Sequence, residues 1–385
     1  MKTSIGIIFG GRSGEHEVSV RSADTVIRQI DHERYDVIPI AISENGEWMN
    51  PADSALFLSE ENRPILSASL QDWADSNVAL IGDTRFDGLT NISGDGAGAR
   101  IDVVFPVLHG TFGEDGTIQG LLEMAGIPYI GGGVLASSCG MDKVVMKILF
   151  KEAGLPICRH VWFLRRDWEQ NNERVIQQVE TAIGYPCFVK PANLGSSVGV
   201  SRADDANSLR ASIALAAEYD RKIIVEEALQ MREIECAVLG NDEPEASLPG
   251  EYLIRNKTKA FLDYTEKYSG TGNNEFVVPA PVSEELSKKI REMAVAAFKA
   301  IDGSGLARVD FFLRSDNGIL LVNEINTMPG LTDASGFPKM WKGTGADFST
   351  VIDRLVDLAI ERHKDRARNK TSFNDTQVRN ETASD

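Results

Sequence analysis

Chemistry is suggested first by three oxygen-bearing side chains. In the stretch VNEINTMPG, residues 322–330, an apolar run ends in Glu324 and Asn326, two residues apart, before Pro329-Gly330 breaks the chain. Alternate residues of a strand point the same way, so Glu324 and Asn326 are expected to share a face with Leu320 and Val322. Just upstream, ARVDFFLR puts Arg308 and Asp310 on one strand face and Val309 and Phe311 on the other. Two such strands side by side gather Asp310, Glu324 and Asn326. These are hard oxygen donors with no nitrogen or sulfur ligand among them, a set that suits Mg²⁺. Arg308 beside them supplies positive charge where phosphate or an oxyanion must be stabilised. Taken singly, each pair also reads as a surface ion pair or a strand end reaching solvent. Two successive strands that both end in ligand-type residues favour a site.

Other stretches carry weaker signals. In KPANLGSSVGV, Lys190 leaves an apolar strand ahead of a Gly/Ser loop with Ser196 and Ser197, small residues that let backbone N–H groups approach phosphate. The spacing is not that of a P-loop. GGRSGEHEVS is a strand–glycine–helix junction without the dinucleotide fingerprint; Glu15 there complements the helix dipole or binds the ammonium of a small substrate. VLHGTFGEDG ends a strand at His109, a residue type that on such a loop is more often a hydrogen-bonded turn residue than a catalyst. Lys267 and Tyr268, in DYTEKYSG, sit on a loop dense in aromatic and charged groups, as a lid is.

The elements that position these residues alternate strand and helix. TSIGIIFGG, YDVIPIAI and RIDVVFPVL read as strands, EHEVSVRSADTVIRQI and TIQGLLEMAGI as helices, which implies a parallel α/β sheet over roughly residues 1–135. Residues 45–100 are rich in Gly, Asn, Asp and Ser and read as an irregular surface insertion. A second unit starts near MDKVVMKILFKEAGLP and a third near Arg232, closed by the helix STVIDRLVDLAIERH. Residues 366–385 are nearly devoid of large apolar side chains and are expected to form a disordered tail.

Composition narrows the partners. With 385 residues, two or three domains are expected. A net charge of −17 repels nucleic acid and anionic lipid, so a phosphate-bearing ligand has to be small and held by local lysines or a metal. The four cysteines are scattered, which fits a reducing compartment. The N-terminal apolar run is too short for a signal segment, and no stretch approaches a membrane span; the reading is a cytoplasmic protein.

Taken in order, GGRSGEHEVS, HGTFGEDGTIQGLLEMAGIPYIGGGVLASSCGMDK, KPANLGSSVG, DYTEKY, ARVDFF and NEINTMPGLTDAS resemble the D-alanine:D-alanine ligase family of the ATP-grasp superfamily. The resemblance covers nearly the whole chain apart from residues 45–100 and the C-terminal end. It implies an α/β, three-domain ATP-grasp fold with an N-terminal parallel α/β domain. Residues 1–140 would bind substrate, 141–231 form the central ATP-grasp subdomain, and 232–365 carry metal and catalytic residues. It also implies a reaction: ATP phosphorylates the carboxylate of one D-alanine, and the amine of a second attacks the acyl phosphate. The product, D-alanyl-D-alanine, supplies peptidoglycan precursor synthesis.

Residue by residue, the resemblance assigns Asp310, Glu324 and Asn326 to two Mg²⁺ ions on the ATP phosphates, with Mn²⁺ as a substitute ion. Lys143, Lys190 and Lys267 take phosphate-binding roles, Ser197 an ATP contact, and Glu226 and Glu233 the adenine and ribose sides. Glu15 holds the first D-alanine's ammonium, Ser196 and Tyr268 are its hydrogen-bonding partners that lock the lid, and His109 borders the first subsite. Arg308 and the backbone N–H of Gly330 form the oxyanion hole, and Ser335 binds the second carboxylate. Family members are usually homodimers. Relatives that make an ester with D-lactate lack a tyrosine at the Tyr268 position, so an amine acceptor is implied. Ala334 and Gly336 depart from the family's commoner His and Leu or larger residue beside the second-substrate pocket, which keeps a D-alanine:D-serine ligase, or another ATP-grasp carboxylate–amine ligase, as the alternative. A catalytically silent relative fits less well, since Lys190, Arg308, Asp310 and Glu324 are all present.

Overall fold

The computed structural model describes residues 2–70, 73, 76–86, 88–92, 98–254 and 274–370. Strand Thr3–Gly10 lies between strands Tyr35–Ile42 and Val103–Val107 and runs parallel to both. Its unbroken apolar run is what a parallel strand covered on both faces requires. One cover is helix His16–Gln29, which buries Val18, Ala23, Val26 and Ile27.

Residues 45–100 are not the irregular surface insertion expected. They form helices Pro51–Ser54 and Arg63–Leu70 and an antiparallel sheet of Val78–Leu80, Gly88–Asn91 and Gly98–Arg100. Ala55, Leu58, Leu66 and Leu70 enter the same core as Val26 and Phe105, while Val78, Leu80 and Leu89 join Ile40 and Leu122 in another. The apolar residues that do this come singly or in short groups among polar ones, so the segment's Gly, Asn, Asp and Ser content masked them.

A four-stranded antiparallel sheet follows, in the order His160–Leu164, Lys222–Glu227, Cys187–Pro191, Ser201–Ala203. Helices Asn172–Ala182 and Ala206–Tyr219 pack on it. In the six-stranded sheet beyond, Met231–Gly240 lies between Gly250–Ile254 and Gly305–Arg314, and Leu320–Asn326 pairs antiparallel with Gly305–Arg314. Helices Lys143–Glu152 and Glu284–Ala300 cover one face, setting Met146, Phe150, Ile290 and Phe298 against Ile234, Val309 and Phe311. Ala237, Leu239 and Leu306 go the other way, into the core built around Phe9 and Phe105, so the first and last sheets share one interior.

Pairing between the last two strands corrects the face expected for Glu324. Asp310 opposes Glu324 but Phe311 opposes Val322, so Asn323 is an extra, unmatched residue of a β-bulge. The bulge reverses the alternation. Leu320 and Val322 join Ile325 in the core, whereas Glu324 and Asn326 lie opposite Asp310 and Arg308 and line a cavity with them. Without it, the carboxylate would share a face with Leu320 and Val322 in the apolar core, at a high desolvation cost.

Helix Phe348–Arg366 closes the fold and reaches one residue into the segment expected as a tail; residues 371–385 lie outside the described residues. The correction to residues 45–100 is open to measurement. Leu66 is 2% exposed, so Leu66→Ala is expected to lower stability by about 2–5 kcal/mol in urea unfolding. A loss under about 0.5 kcal/mol, as at an exposed position, would restore the surface reading.

Candidate active site

One cavity collects side chains from all the larger sheets: Glu15, His109, Lys143, Lys190, Ser196 and Arg308 line it together with Asp310, Glu324 and Asn326. Its floor is a ladder of charge across three strands. Glu235, Asp310 and Glu324 stand in register on adjacent strands, and Arg308 is one alternation further along beside Asn326. The Arg308 guanidinium grips Asp310 with both arms, Nε to Oδ1 at 2.6 Å and Nη2 to Oδ2 at 2.7 Å, and lies 3.5 Å from Glu235 Oε2. Asn326 Nδ2 donates to Asp310 Oδ2 at 3.2 Å. All these side chains are largely out of water, so each charge needs the other.

A second group surrounds Glu15, which precedes helix His16–Gln29. Ser196 Oγ donates to Glu15 Oε1, joining the N-terminal sheet to the Gly/Ser loop. Ser196 and Ser197 hold the left-handed backbone, with φ of 52° and 58°. A Cβ at Gly110, where φ is 70°, would lie 2.6 Å from Glu15 Oε2, and one at Gly195 would lie 3.0 Å away. Glycine at both places is what admits the carboxylate. Lys143 Nζ donates to the carbonyl of Leu194 at 2.6 Å, and Lys190 Nζ to Glu226 Oε2 at 2.7 Å.

A third group fixes the turn that carries Gly330. Met328 is clamped at both backbone groups: its N–H donates to Glu114 Oε1 at 3.1 Å, and its carbonyl accepts from His109 Nδ1 at 2.9 Å. A carbonyl can only accept, so the proton sits on Nδ1, and Nε2 at 3.1 Å accepts from Ser22 Oγ. Ser22 Oγ in turn accepts from the N–H of Leu331 at 3.3 Å. Burial pushes the His109 pKa down, which keeps the ring neutral. Burial, followed by the charge of Glu15, pushes Glu114 up to about 8, even though Gly110 and Met328 donate N–H bonds to it.

Comparison with known proteins decides the family. The model described as D-ala D-ala ligase N-terminus matches residues 4–132, and the one described as D-ala D-ala ligase C-terminus matches residues 149–357. The chain is 47% identical to a D-alanine–D-alanine ligase of Bacillus licheniformis over 97% of its own length and 100% of the relative's. It is 50% identical to the one from Bacillus velezensis, over 95% and 100%. The chain belongs to the D-alanine:D-alanine ligase family. Among solved structures it resembles the D-alanine-D-alanine ligase of Coxiella burnetii, with TM-score 0.78 and 33% identity over 95% of this chain and 98% of that one. It equally resembles the VanG D-Ala:D-Ser ligase of Enterococcus faecalis, with TM-score 0.79 and 35% identity over 93% and 100%.

Within this ligase fold, most residues singled out from the sequence line the cavity, including Ser197, Glu233 and Gly330. Two stand off it. Glu226 is buried behind Lys190, and Ser335 is buried at the start of helix Gly336–Thr344, its hydroxyl 2.8 Å from that of Thr332. Lys267 and Tyr268 lie outside the described residues. Glu235 and Glu114 line the cavity and were not anticipated. Glu235 carried a readable signal, because REIECAVLG sets Glu233 and Glu235 on one face of an apolar strand as ARVDFF does Arg308 and Asp310. Glu114 carried none, being one polar residue in a glycine-rich turn.

The donor set fits a hard cation. Among the described residues no cluster of three or more His, Cys, Asp or Glu side chains is arranged for a metal; the set here is two carboxylates and an amide, all offering oxygen.

Glu114 makes a prediction about pH. Its carboxyl stays protonated in the folded protein up to about pH 8, against an ordinary value of 4.5. The unfolded chain therefore binds fewer protons between those values, and stability falls as pH rises through that window. Glu114→Gln removes this slope whatever constant cost its amide adds. Urea midpoints at pH 5, 7 and 9 should move in the variant's favour with rising pH; parallel curves would contradict the protonated carboxyl.

Proposed function

We propose that the protein forms D-alanyl-D-alanine in this cavity, activating one carboxylate with ATP. The observation that carries the reading is that Glu15, the cations Lys143, Lys190 and Arg308, and the donors Asp310, Glu324 and Asn326 all line one cavity. An ammonium holder, phosphate-type cations and hard oxygen ligands are together what a carboxylate–amine ligation driven by phosphoryl transfer needs.

In this reading Glu15, oriented by Ser196, takes the first D-alanine's ammonium. A carboxylate oxygen of that D-alanine attacks the γ-phosphorus, and the bond from phosphorus to the ADP oxygen breaks. Lys143 and Lys190 offset the phosphate charge, and the family resemblance gives Lys267 the same task and Tyr268 a hydrogen-bonding one. Glu226 and Glu233 serve the adenosine side. Two Mg²⁺ ions, or Mn²⁺ in their place, held by Asp310, Glu324 and Asn326, would neutralise negative charge across the phosphates. The second D-alanine's amine, having lost a proton, attacks the acyl carbon. The oxyanion so formed meets Arg308 and the N–H of Gly330, and phosphate leaves with the former carboxylate oxygen. Both ring nitrogens of His109 are engaged, so its part is to wall the first subsite and hold Met328, not to carry a proton. Ser335 serves the acceptor's carboxylate. The family resemblance supports a homodimer and a cytoplasmic setting, and no described helix is long and apolar enough to cross a membrane.

The test is ADP release with Mg-ATP and D-alanine alone, then with D-alanine and D-serine together, with products identified by mass. D-alanyl-D-alanine is expected as the main product. A dominant mixed dipeptide would move the acceptor to D-serine, and no ADP release would overturn the reaction. Glu324→Gln should keep the melting temperature while ADP release falls about a hundredfold or more; wild-type turnover in that variant would remove Glu324 from the site.

A further inference from the structure

Lys147 is 1% exposed, the deepest lysine among the described residues, and it takes no part in the reaction drawn above. It sits one helical turn after Lys143, on helix Lys143–Glu152, with its side chain turned inward beside Val144, Met146 and Phe150. A lysine ammonium has three N–H donors, and here three groups surround it. Glu226 Oε1 lies at 3.0 Å, the carbonyl of Asn323 at 3.1 Å and Cys158 Sγ at 3.6 Å.

Two of these neighbours lead to the cavity by different routes. Glu226 is the buried carboxylate assigned to the adenosine side, and its other oxygen is held by Lys190, a cavity-lining cation. Asn323 is the extra residue of the bulge that turns Glu324 toward the cavity. One ammonium thus ties the adenosine-side carboxylate to the strand that presents Glu324.

Geometry separates the two lysines that share Glu226. Lys190 lines the cavity and is within reach of a ligand, whereas Lys147 is not among the lining residues. A buried carboxylate stripped of its only cation is strongly disfavoured. If Lys190 were the sole partner of Glu226, drawing it toward phosphate would leave that carboxylate uncompensated. Burial pushes Glu226 up, yet Lys147 and Lys190 together outweigh burial and hold its carboxyl far below the usual range.

We propose that Lys147 is a positioning residue for the nucleotide: it is the permanent counter-ion of Glu226, frees Lys190 to engage phosphate, and fixes the bulge behind Glu324. This rests on the ligase reading, but it concerns a residue that touches neither substrate nor phosphate. The cysteine contact has no charge to offer and is not part of the device.

The test is ATP binding by calorimetry on the full chain without D-alanine, so that no turnover is involved, alongside KM values for ATP and D-alanine. Lys147→Met is expected to weaken ATP binding about tenfold or more and to raise the KM for ATP, while the KM for the first D-alanine stays within about twofold. Lys147→Gln keeps donors for Asn323 and Glu226 but lacks the charge, and should show the same loss at a melting temperature closer to wild type. Cys158→Ala should bind ATP as wild type does. In the Lys147→Met background, adding Lys190→Met should cost less than it does alone, since Lys190 is already pinned to Glu226. ATP binding within twofold of wild type in a folded Lys147→Met or Lys147→Gln protein would overturn the proposal. So would equal losses for ATP and D-alanine, or unfolding of both variants at the assay temperature, which would make the residue structural. Failure of the unsubstituted protein to bind ATP would instead overturn the ligase reading itself.

Discussion

Charge taken out of water has to be paired, and most of this site follows from that constraint. The sheet floor carries Glu235, Asp310 and Glu324 in a row, and the largely buried Arg308 is gripped by one of them and close to another. Such an arrangement lets a group change partner without being stranded. A cation that drew Asp310 away from Arg308 would still leave Glu235 beside the guanidinium. Lys190, Glu226 and Lys147 repeat the pattern on the other side of the cavity. Pairs of this kind add little net stability, but they hold ionised groups ready in a place of low dielectric, where their effect on a developing charge is greatest.

Backbone geometry gives those charges their direction. A single extra residue, Asn323, rotates Glu324 and Asn326 out of the hydrophobic core, and the next turn is then held from outside its own sheet. His109, Glu114 and Ser22 all belong to the N-terminal part of the chain, and all three bind the backbone around Met328 and Leu331. Since Phe9 and Phe105 share a core with Leu306, Met328 and Trp341, the N-terminal sheet and the Gly330 turn form one packed body. Glu15, which holds the first D-alanine only in the proposed reaction, and the Gly330 turn are thereby set by the same apolar interior.

How much of this was readable from the sequence depended on the range over which each feature is encoded. Alternation within a strand is local, so Arg308 with Asp310, and Glu324 with Asn326, stood out on their own. A bulge leaves composition and local pattern almost unchanged, because it is defined by what lies across the ladder; the faces of Leu320 and Val322 were misjudged for that reason. The helix holding Lys143, Lys147 and Lys151 shows three lysines at i, i+4 and i+8, and only packing determines that Lys147 is the one buried. Glu226 and Ser335 entered through the resemblance, and both prove to be buried residues standing off the cavity wall. The segment 45–100 was misread because its core residues are few and widely spaced, a pattern that composition cannot tell from a loop.

The proposed reaction joins a carboxylate to an amine in this cavity by way of an acyl phosphate. Its most direct test uses D-alanine labelled with ¹⁸O in the carboxylate, incubated with ATP and the protein, with inorganic phosphate analysed by mass. Attack by the carboxylate on phosphorus requires one labelled oxygen to pass into phosphate for each dipeptide formed. Unlabelled phosphate released alongside dipeptide would show that the carboxylate never bonded to phosphorus, and the acyl phosphate would be ruled out.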